Sequence, residues 1–447
     1  MSIKKTILPL LLTLFLLFIT YAYTPASALE INSFLSHQSQ KNPGFLVKNN
    51  SRQLQLTSDE LVNTYMTNTQ EEPDIAMLRG GGLIVVYESY AQDGPGHQWD
   101  IRGQLYLPNG TTNGNEFFIP DNFSEFQYSP QVATLLDGSF VVAWHGWNHA
   151  KNNHDVMFRI FEQDGTPRTG DIPANSMIPD QDEKLPALAA LQGGGFVIGY
   201  QHQNGLYARI FDVLGNNMTT DFRINTVSLS ETNSLSLAAL NDGGFVAVWT
   251  GSTTRIKSQR FDALGNKIGD ELQVYVSENV QNKPRVRTLN SNEYVVVWQE
   301  GSTPDIYAQR LLYNGTAKGP RIFVNDDYSA EAQSSPAVAP LSGGGFAVVW
   351  QSNGQDGNNY GIYGRTYDSS GHKSSDIFRV NLHTAGSQQN PAIAPFGSGF
   401  AVVWDGPHPI RNTGPDIWLR RYNSATQEKC MDYRDCPADY KYCLPSN

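Results

Sequence analysis

Seven times along this chain an apolar run ends on a large aromatic residue: Tyr87, Trp144, Tyr200, Trp249, Trp298, Trp350 and Trp404. The intervals are 57, 56, 49, 49, 52 and 54 residues, a period of about fifty. A period of that length means a supersecondary unit that cannot bury its apolar face alone and must stack on copies of itself. This excludes most other readings of a chain of 447 residues.

Each repeat reads as four strands. The first is short and often follows proline, as in Pro130-Gln131-Val132-Ala133, Pro186-Ala187-Leu188-Ala189, Pro336-Ala337-Val338-Ala339 and Pro391-Ala392-Ile393-Ala394. These segments, nearest the axis if the repeats close into a ring, are mostly small and apolar. The second strand is continuously apolar, as in Phe346-Ala347-Val348-Val349-Trp350, which is the pattern of a strand covered on both faces. The third pairs an aliphatic residue with an aromatic or leucine five positions on: Ile101/Tyr106, Val156/Phe161, Leu206/Phe211, Ile256/Phe261, Ile306/Leu311, Ile362/Tyr367 and Ile417/Tyr422. Glycine follows four residues later in six repeats (Gly110, Gly165, Gly215, Gly265, Gly315, Gly371), where a tight turn needs positive φ, and Thr426 replaces it in the seventh. The fourth strand is marked by Asn122, Asn175, Asn225, Asn325 and Asn381, with Tyr275 breaking the pattern.

The ends of the array distinguish an open stack from a closed ring. The seventh repeat stops after its third strand. A fourth strand stands instead before the first repeat, where Glu60-Leu61-Val62-Asn63 is similar to Phe378-Arg379-Val380-Asn381. Thr67, Gln70 and Pro73 then match Thr384, Gln388 and Pro391. The expected fold is therefore all-β: a seven-bladed propeller over 59–426 whose N-terminal strand completes the last blade.

The flanks carry other signals. Lys4 and Lys5, the apolar run Ile7–Ile19 and Ala26-Ser27-Ala28 read as a secretory signal peptide over 1–28, followed by an N-terminal extension over 29–58. An uncleaved membrane anchor is the alternative. The secreted chain is expected outside the cell and, after cleavage, without a membrane span. Removing two lysines takes the net charge from −11 to −13, which disfavours nucleic acid as a partner. Cys430, Cys436 and Cys443 lie in a Cys-rich tail over 427–447. Three cysteines cannot all pair internally, so one is free or bonded to another chain; the partner implied in the second case is self-association or a disulfide-linked partner through the tail, with the pairing open. Asn49, Asn109, Asn122, Asn217 and Asn314 stand in glycosylation sequons.

The segment Val348-Val349-Trp350-Gln351-Ser352-Asn353-Gly354-Gln355-Asp356-Gly357, followed by Gly361-Ile362-Tyr363-Gly364-Arg365, resembles tandem repeats of large secreted bacterial surface and adhesin-like proteins. Those repeats often accompany hemolysin-type calcium-binding segments. The likeness spans about 60–425 and is close in the sixth repeat. The glycine–aspartate nonapeptides that bind calcium in such proteins are absent, so that chemistry is not implied here. The signatures of integrin-type, sialidase, WD-type and kelch repeats are absent too.

Between the aromatic residue of the second strand and the aliphatic residue of the third lie 13, 11, 5, 6, 7, 11 and 12 residues in repeats one to seven. The long connections belong to repeats six, seven, one and two, contiguous once the ring closes. Seven of the nine histidines fall on this face. The candidate ligand-binding residues are His97, Trp99, His145, Trp147, His149, Tyr360 and His408. Aromatic rings beside polar groups suit a glycan or protein ligand; rings folded over the blade edges are the bland alternative. Asp93 and Asp356, in two Gln-Asp-Gly turns, are the candidate calcium ligands, although Asp and Gly also serve such turns by backbone preference. His145, His149, His154 and Asp155 have zinc-compatible chemistry without a recognised spacing. Otherwise no cofactor is expected. No nucleophile elbow, H-E-x-x-H or phosphate loop occurs, and carboxylates gathered from different blades stay open. The expected function is a non-catalytic binding or adhesion module for an extracellular glycan or protein. The alternatives are a structural subunit of an extracellular matrix or appendage, and a secreted polysaccharide hydrolase or lyase.

Overall fold

In a computed structural model, the chain is described at residues 53–55, 58–92, 99–121, 126–148, 152–176, 181–203, 205–229, 234–411 and 414–424. These form seven antiparallel sheets, six with their strands in chain order and one completed by strands from before the first repeat, and no helix occurs among them. Blade 1 comprises Gln70–Met77, Leu83–Tyr90, Trp99–Tyr106 and Phe117–Phe118. Blades 2 to 6 occupy 127–173, 183–223, 235–273, 281–323 and 333–379, and blade 7 starts at Gln389. The signal segment, the Cys-rich tail, Thr426, Asn49 and Asn122 lie outside the described residues.

The second strands are the core of each blade, as their unbroken apolar runs require. Tyr87, Trp144, Tyr200, Trp249, Trp298, Trp350 and Trp404 are each at most 1% exposed. Every apolar cluster draws on two neighbouring blades. Ile75, Val85 and Tyr87 of blade 1 pack with Ala394, Val403 and Leu419 of blade 7, so the series closes on itself. The turn glycines behave as their spacing predicts: Gly110 and Gly215 have φ of 88° and 85°.

The seam lies where the sequence places it. Glu60–Leu61 pairs antiparallel with Leu419 and Trp418, and the N–H of Val62 reaches the carbonyl of Ile417 at 2.8 Å. Asn63 then does for blade 7 what Asn381 does for blade 6. Its Oδ1 accepts the N–H of Ile417 at 2.8 Å, as that of Asn381 accepts Ile362 at 2.7 Å. Its Nδ2 donates to Asp416 at 2.8 Å and Gln70 at 3.1 Å. Asn63→Ala should therefore cost on the order of 2–4 kcal/mol, because several buried polar groups lose their partner. Asn381→Ala should cost about the same in chemical denaturation. A silent Asn63 substitution beside a costly Asn381 one would place the closure elsewhere.

Two expectations need correction. Gln53–Gln55 falls within the predicted extension, yet it pairs with Ser424–Tyr422 as a further piece of blade 7. The first strands also start before the proline rather than after it. They begin at Gln70, Gln127, Glu183, Gln281 and Gln333, and a bulge two residues on lets the proline sit where it owes no ladder hydrogen bond.

Candidate functional site

The inner strands surround a central channel. Its mouth, on the face of the long connections, is a cavity of about 380 Å³. Six bulges rim it. Glu72, Ser129, Leu185, Lys283, Ser335 and Asn390, each just before a proline, have φ between 49° and 54°. A side chain in this left-handed region costs about 1–2 kcal/mol and needs to be held. At four seams the residue that follows the buried aromatic holds it from the preceding blade. Gln299 accepts the N–H of Ser335, and Gln351 that of Asn390, both at 3.1 Å. Glu88 accepts the N–H of Ser129 at 2.6 Å, and Asp405 that of Glu72 at 3.4 Å.

An amide is enough for this latch, as Gln299 and Gln351 show. Glu88 and Asp405 put acids there instead, on the adjacent blades 1 and 7. They gather with Glu71, the cross-strand partner of Glu88, and with Glu72, which is exposed in the mouth. Burial, with the charges of Glu72 and Glu71 behind it, pushes the Glu88 carboxyl up to about 9. A hydrogen bond between the Glu88 and Glu72 side chains adds to this. Burial likewise raises Asp405 to about 7, against the hydrogen bond from Asn390 Nδ2 at 2.8 Å. At neutral pH the Glu88 carboxyl of this wall is protonated.

The consequence for stability has a definite sign. Both folded values lie above the unfolded ones, so between them the folded state binds more protons, and stability falls as pH rises. The window runs from 3.8 to about 7 for Asp405 and from 4.5 to about 9 for Glu88. Glu88→Gln and Asp405→Asn keep an oxygen for the latch. They should flatten the fall of melting temperature between pH 5 and 9 and leave it nearly unchanged at pH 4. An unaltered slope in scanning fluorimetry would mean that these carboxyls ionise normally.

The opposite wall is basic. Blade 5 contributes Lys283, Arg285 and Arg287 to the lining, and Asp74 of blade 1 shares the cavity with them. Sequence reasoning treated the inner strands as small and apolar, and here that is corrected. In register, Arg287 stands where the other six blades carry Ala76, Ala133, Ala189, Ala238, Ala339 and Ala394. The signal was present in Pro73-Asp74-Ile75-Ala76 and Pro284-Arg285-Val286-Arg287, which break the pattern of the other repeats.

The candidate aromatic residues divide. Trp99 and Trp147 join a half-buried ribbon across blades 1 and 2. It runs Tyr90–Trp99 at 5.1 Å, Trp99–Tyr128 at 6.2 Å, Tyr128–His145 at 5.6 Å, His145–His154 at 5.5 Å and His154–Trp147 at 4.9 Å between ring centres. Tyr128, which sequence reasoning missed, links it to the mouth through its neighbour Ser129. His145, Trp147, Trp99 and Tyr360 stand on strands rather than loops, because the long connections extend the second and third strands beyond the ring. His145 is buried, which holds its imidazole down at about 3 and keeps it neutral. His154 is engaged by Asp182 at 3.0 Å, and Asp155 by Asn148 at 2.7 Å. His408 lies apart on blade 7, with Trp418 at 5.9 Å. Tyr360 opens the third strand of blade 6, where its carbonyl accepts the N–H of Gln388 at 2.8 Å. Asp356 Oδ1 accepts the N–H of Asn358 at 3.1 Å, the turn-forming role of such a residue. Among the described residues no three metal-type side chains converge. Asp93, His97, His149 and the three cysteines lie outside the described residues. Asn109, Asn217 and Asn314 are exposed on the turns of the other face.

The fold is shared with solved structures. The chain superposes on a fungal alcohol oxidase of the AA5 family in complex with copper, over 84% of this chain and 76% of that one, with a TM-score of 0.51 and 9% identity. A protein of unknown function from Dyadobacter fermentans matches over 83% of this chain and 99% of its own, at 0.49 and 10%. An alpha-L-arabinanase of Penicillium chrysogenum complexed with arabinobiose matches over 82% and 97%, at 0.46 and 13%. At such identities the likeness is one of fold. No family model and no curated protein matches the chain.

Proposed function

We propose that this chain is a secreted, carbohydrate-active propeller that cleaves a polysaccharide at the mouth of its central channel. One observation carries the reading. At a position where an amide latches the neighbouring blade, blades 1 and 7 place carboxyls, and these surround the exposed Glu72. Groups of one kind driven to different acidities are what acid–base chemistry requires. In glycoside hydrolysis an acid protonates the leaving oxygen, and a base takes the proton of the water that adds to the anomeric carbon. Glu72, hydrogen-bonded to the protonated Glu88, is the group that faces the sugar and gives the proton. Asp405, raised to about 7, is the base. The ribbon from Tyr128 to Trp147 extends outward from this wall as a platform for further sugar units.

The test is release of reducing ends from a panel of plant and microbial polysaccharides. At least one should be cut, and the Trp99→Ala/Trp147→Ala double variant should bind it roughly tenfold more weakly. The ribbon also favours a second reading, binding without cleavage. A glycan that binds through Trp99 and Trp147 and is never cut would select it over the first.

A further inference from the structure

We propose that the sugar taken into this mouth is anionic, carrying a uronate carboxylate or a sulfate ester that Arg285 and Arg287 hold. The inference rests on the carbohydrate reading above and names its substrate class. Arg285 and Arg287 alternate along one strand with Pro284 and Val286, so Val286 enters the apolar core while both arginines line the cavity. Among the described residues no carboxylate lies within 4.0 Å of either guanidinium. Among the described residues their hydrogen bonds run only to the carbonyls of Pro284 at 3.1 Å and Val286 at 2.9 Å. Guanidinium donors are therefore left over on both residues. Lys283 stands above them at the rim, with its Nζ on Ser335 Oγ at 2.9 Å.

Structure does not demand these charges. Six blades build the Arg287 position from alanine, and they close the ring equally well. Asp74, the acid that shares the cavity, gives its Oδ2 to the N–H of Val132 at 2.9 Å instead of to an arginine. A planar fork of donors in a confined site matches the two oxygens of a carboxylate. The acidic wall stands across the mouth, so an anion on the basic side sets the glycosidic bond against Glu72. A cavity of about 380 Å³ lies in the usual range for small-ligand sites.

The test is calorimetric binding of trigalacturonate, its methyl ester and a sulfated galacto-oligosaccharide to the full chain. Trigalacturonate should bind ~10- to 100-fold more tightly than the ester, and Arg287→Ala should remove that difference. Asp74→Asn keeps the acceptor for Val132 while deleting a competing anion, so it should tighten binding, a gain that a misfolded variant cannot mimic. Preference for the sulfated sugar supports the site and assigns the anion as sulfate. An ester that binds as well as the acid, an Arg287→Ala protein that still discriminates, or weaker binding in Asp74→Asn overturns the proposal. Cleavage of neutral polysaccharide without preference for acidic sugars overturns it while leaving the acid–base reading in place. Tight trigalacturonate binding without any cleavage does the reverse.

Discussion

Replacing Glu72 by glutamine should cut turnover of the cleaved polysaccharide by roughly 10²- to 10⁴-fold, with little change in its binding. The substitution keeps the length of the side chain and the bulge that presents it. The backbone N–H of residue 72 still reaches Asp405, and the φ of 50° is set by the following proline and the latch. What disappears is a group able to pass a proton from Glu88 to the glycosidic oxygen. Glu88→Gln should act differently. It preserves the latch, as Gln299 and Gln351 do, and removes the carboxyl hydrogen-bonded behind Glu72. It should therefore lower turnover most on the alkaline side, where the parent protein still draws on the proton of Glu88. Equal activity of Glu72→Gln and the parent protein in steady-state assays would remove Glu72 from the chemistry.

Trp350→Ala should destabilise the ring by about 3–5 kcal/mol. Trp350 is fully buried between blades 5 and 6, packed with Val295, Val297, Val338 and Tyr363. Its Nε1 donates to Gln333 Oε1 at 2.9 Å, so the truncation leaves both a cavity and a buried amide oxygen without this donor. Trp350→Phe keeps most of the volume and loses only the hydrogen bond, so it should cost a fraction of this. Chemical denaturation of both variants checks the ordering. An unchanged midpoint for Trp350→Ala would contradict the packing of adjacent blades.

Fold and seam were legible because each is written in strongly constrained positions. Strands covered on both faces must be apolar throughout, turns at φ near 85° favour glycine, and Asn63 repeats the role of Asn381. The two-residue outer strands, such as Phe222–Arg223, were legible only through the asparagine that follows them, and Gln53–Gln55 carries no such marker. The site was harder for a physical reason. Its residues are departures from the repeat, and reading a repeat by what its copies share removes them. Arg287 stands out only against the alanines in register with it, and Asp74 and Arg285 only against Gln131, Ala187, Ser236, Ala337 and Ala392. Glu88 and Asp405 stand out only against Gln299 and Gln351, after the latch to the next blade is known. The aromatic ribbon crosses from Trp99 on blade 1 to Tyr128 on blade 2, a contact that no spacing within one repeat encodes.

The most direct test of the acid–base wall is the pH dependence of kcat/KM on the polysaccharide that is cut. Such a profile reports the acid and base of the free protein. With Asp405 near 7 and Glu88 near 9, the profile should be a bell with limbs close to those values and a maximum near pH 8. Asp405→Asn should abolish the acidic limb, and Glu88→Gln should move the alkaline limb downward. An optimum at pH 4–5 that neither substitution shifts would contradict the account.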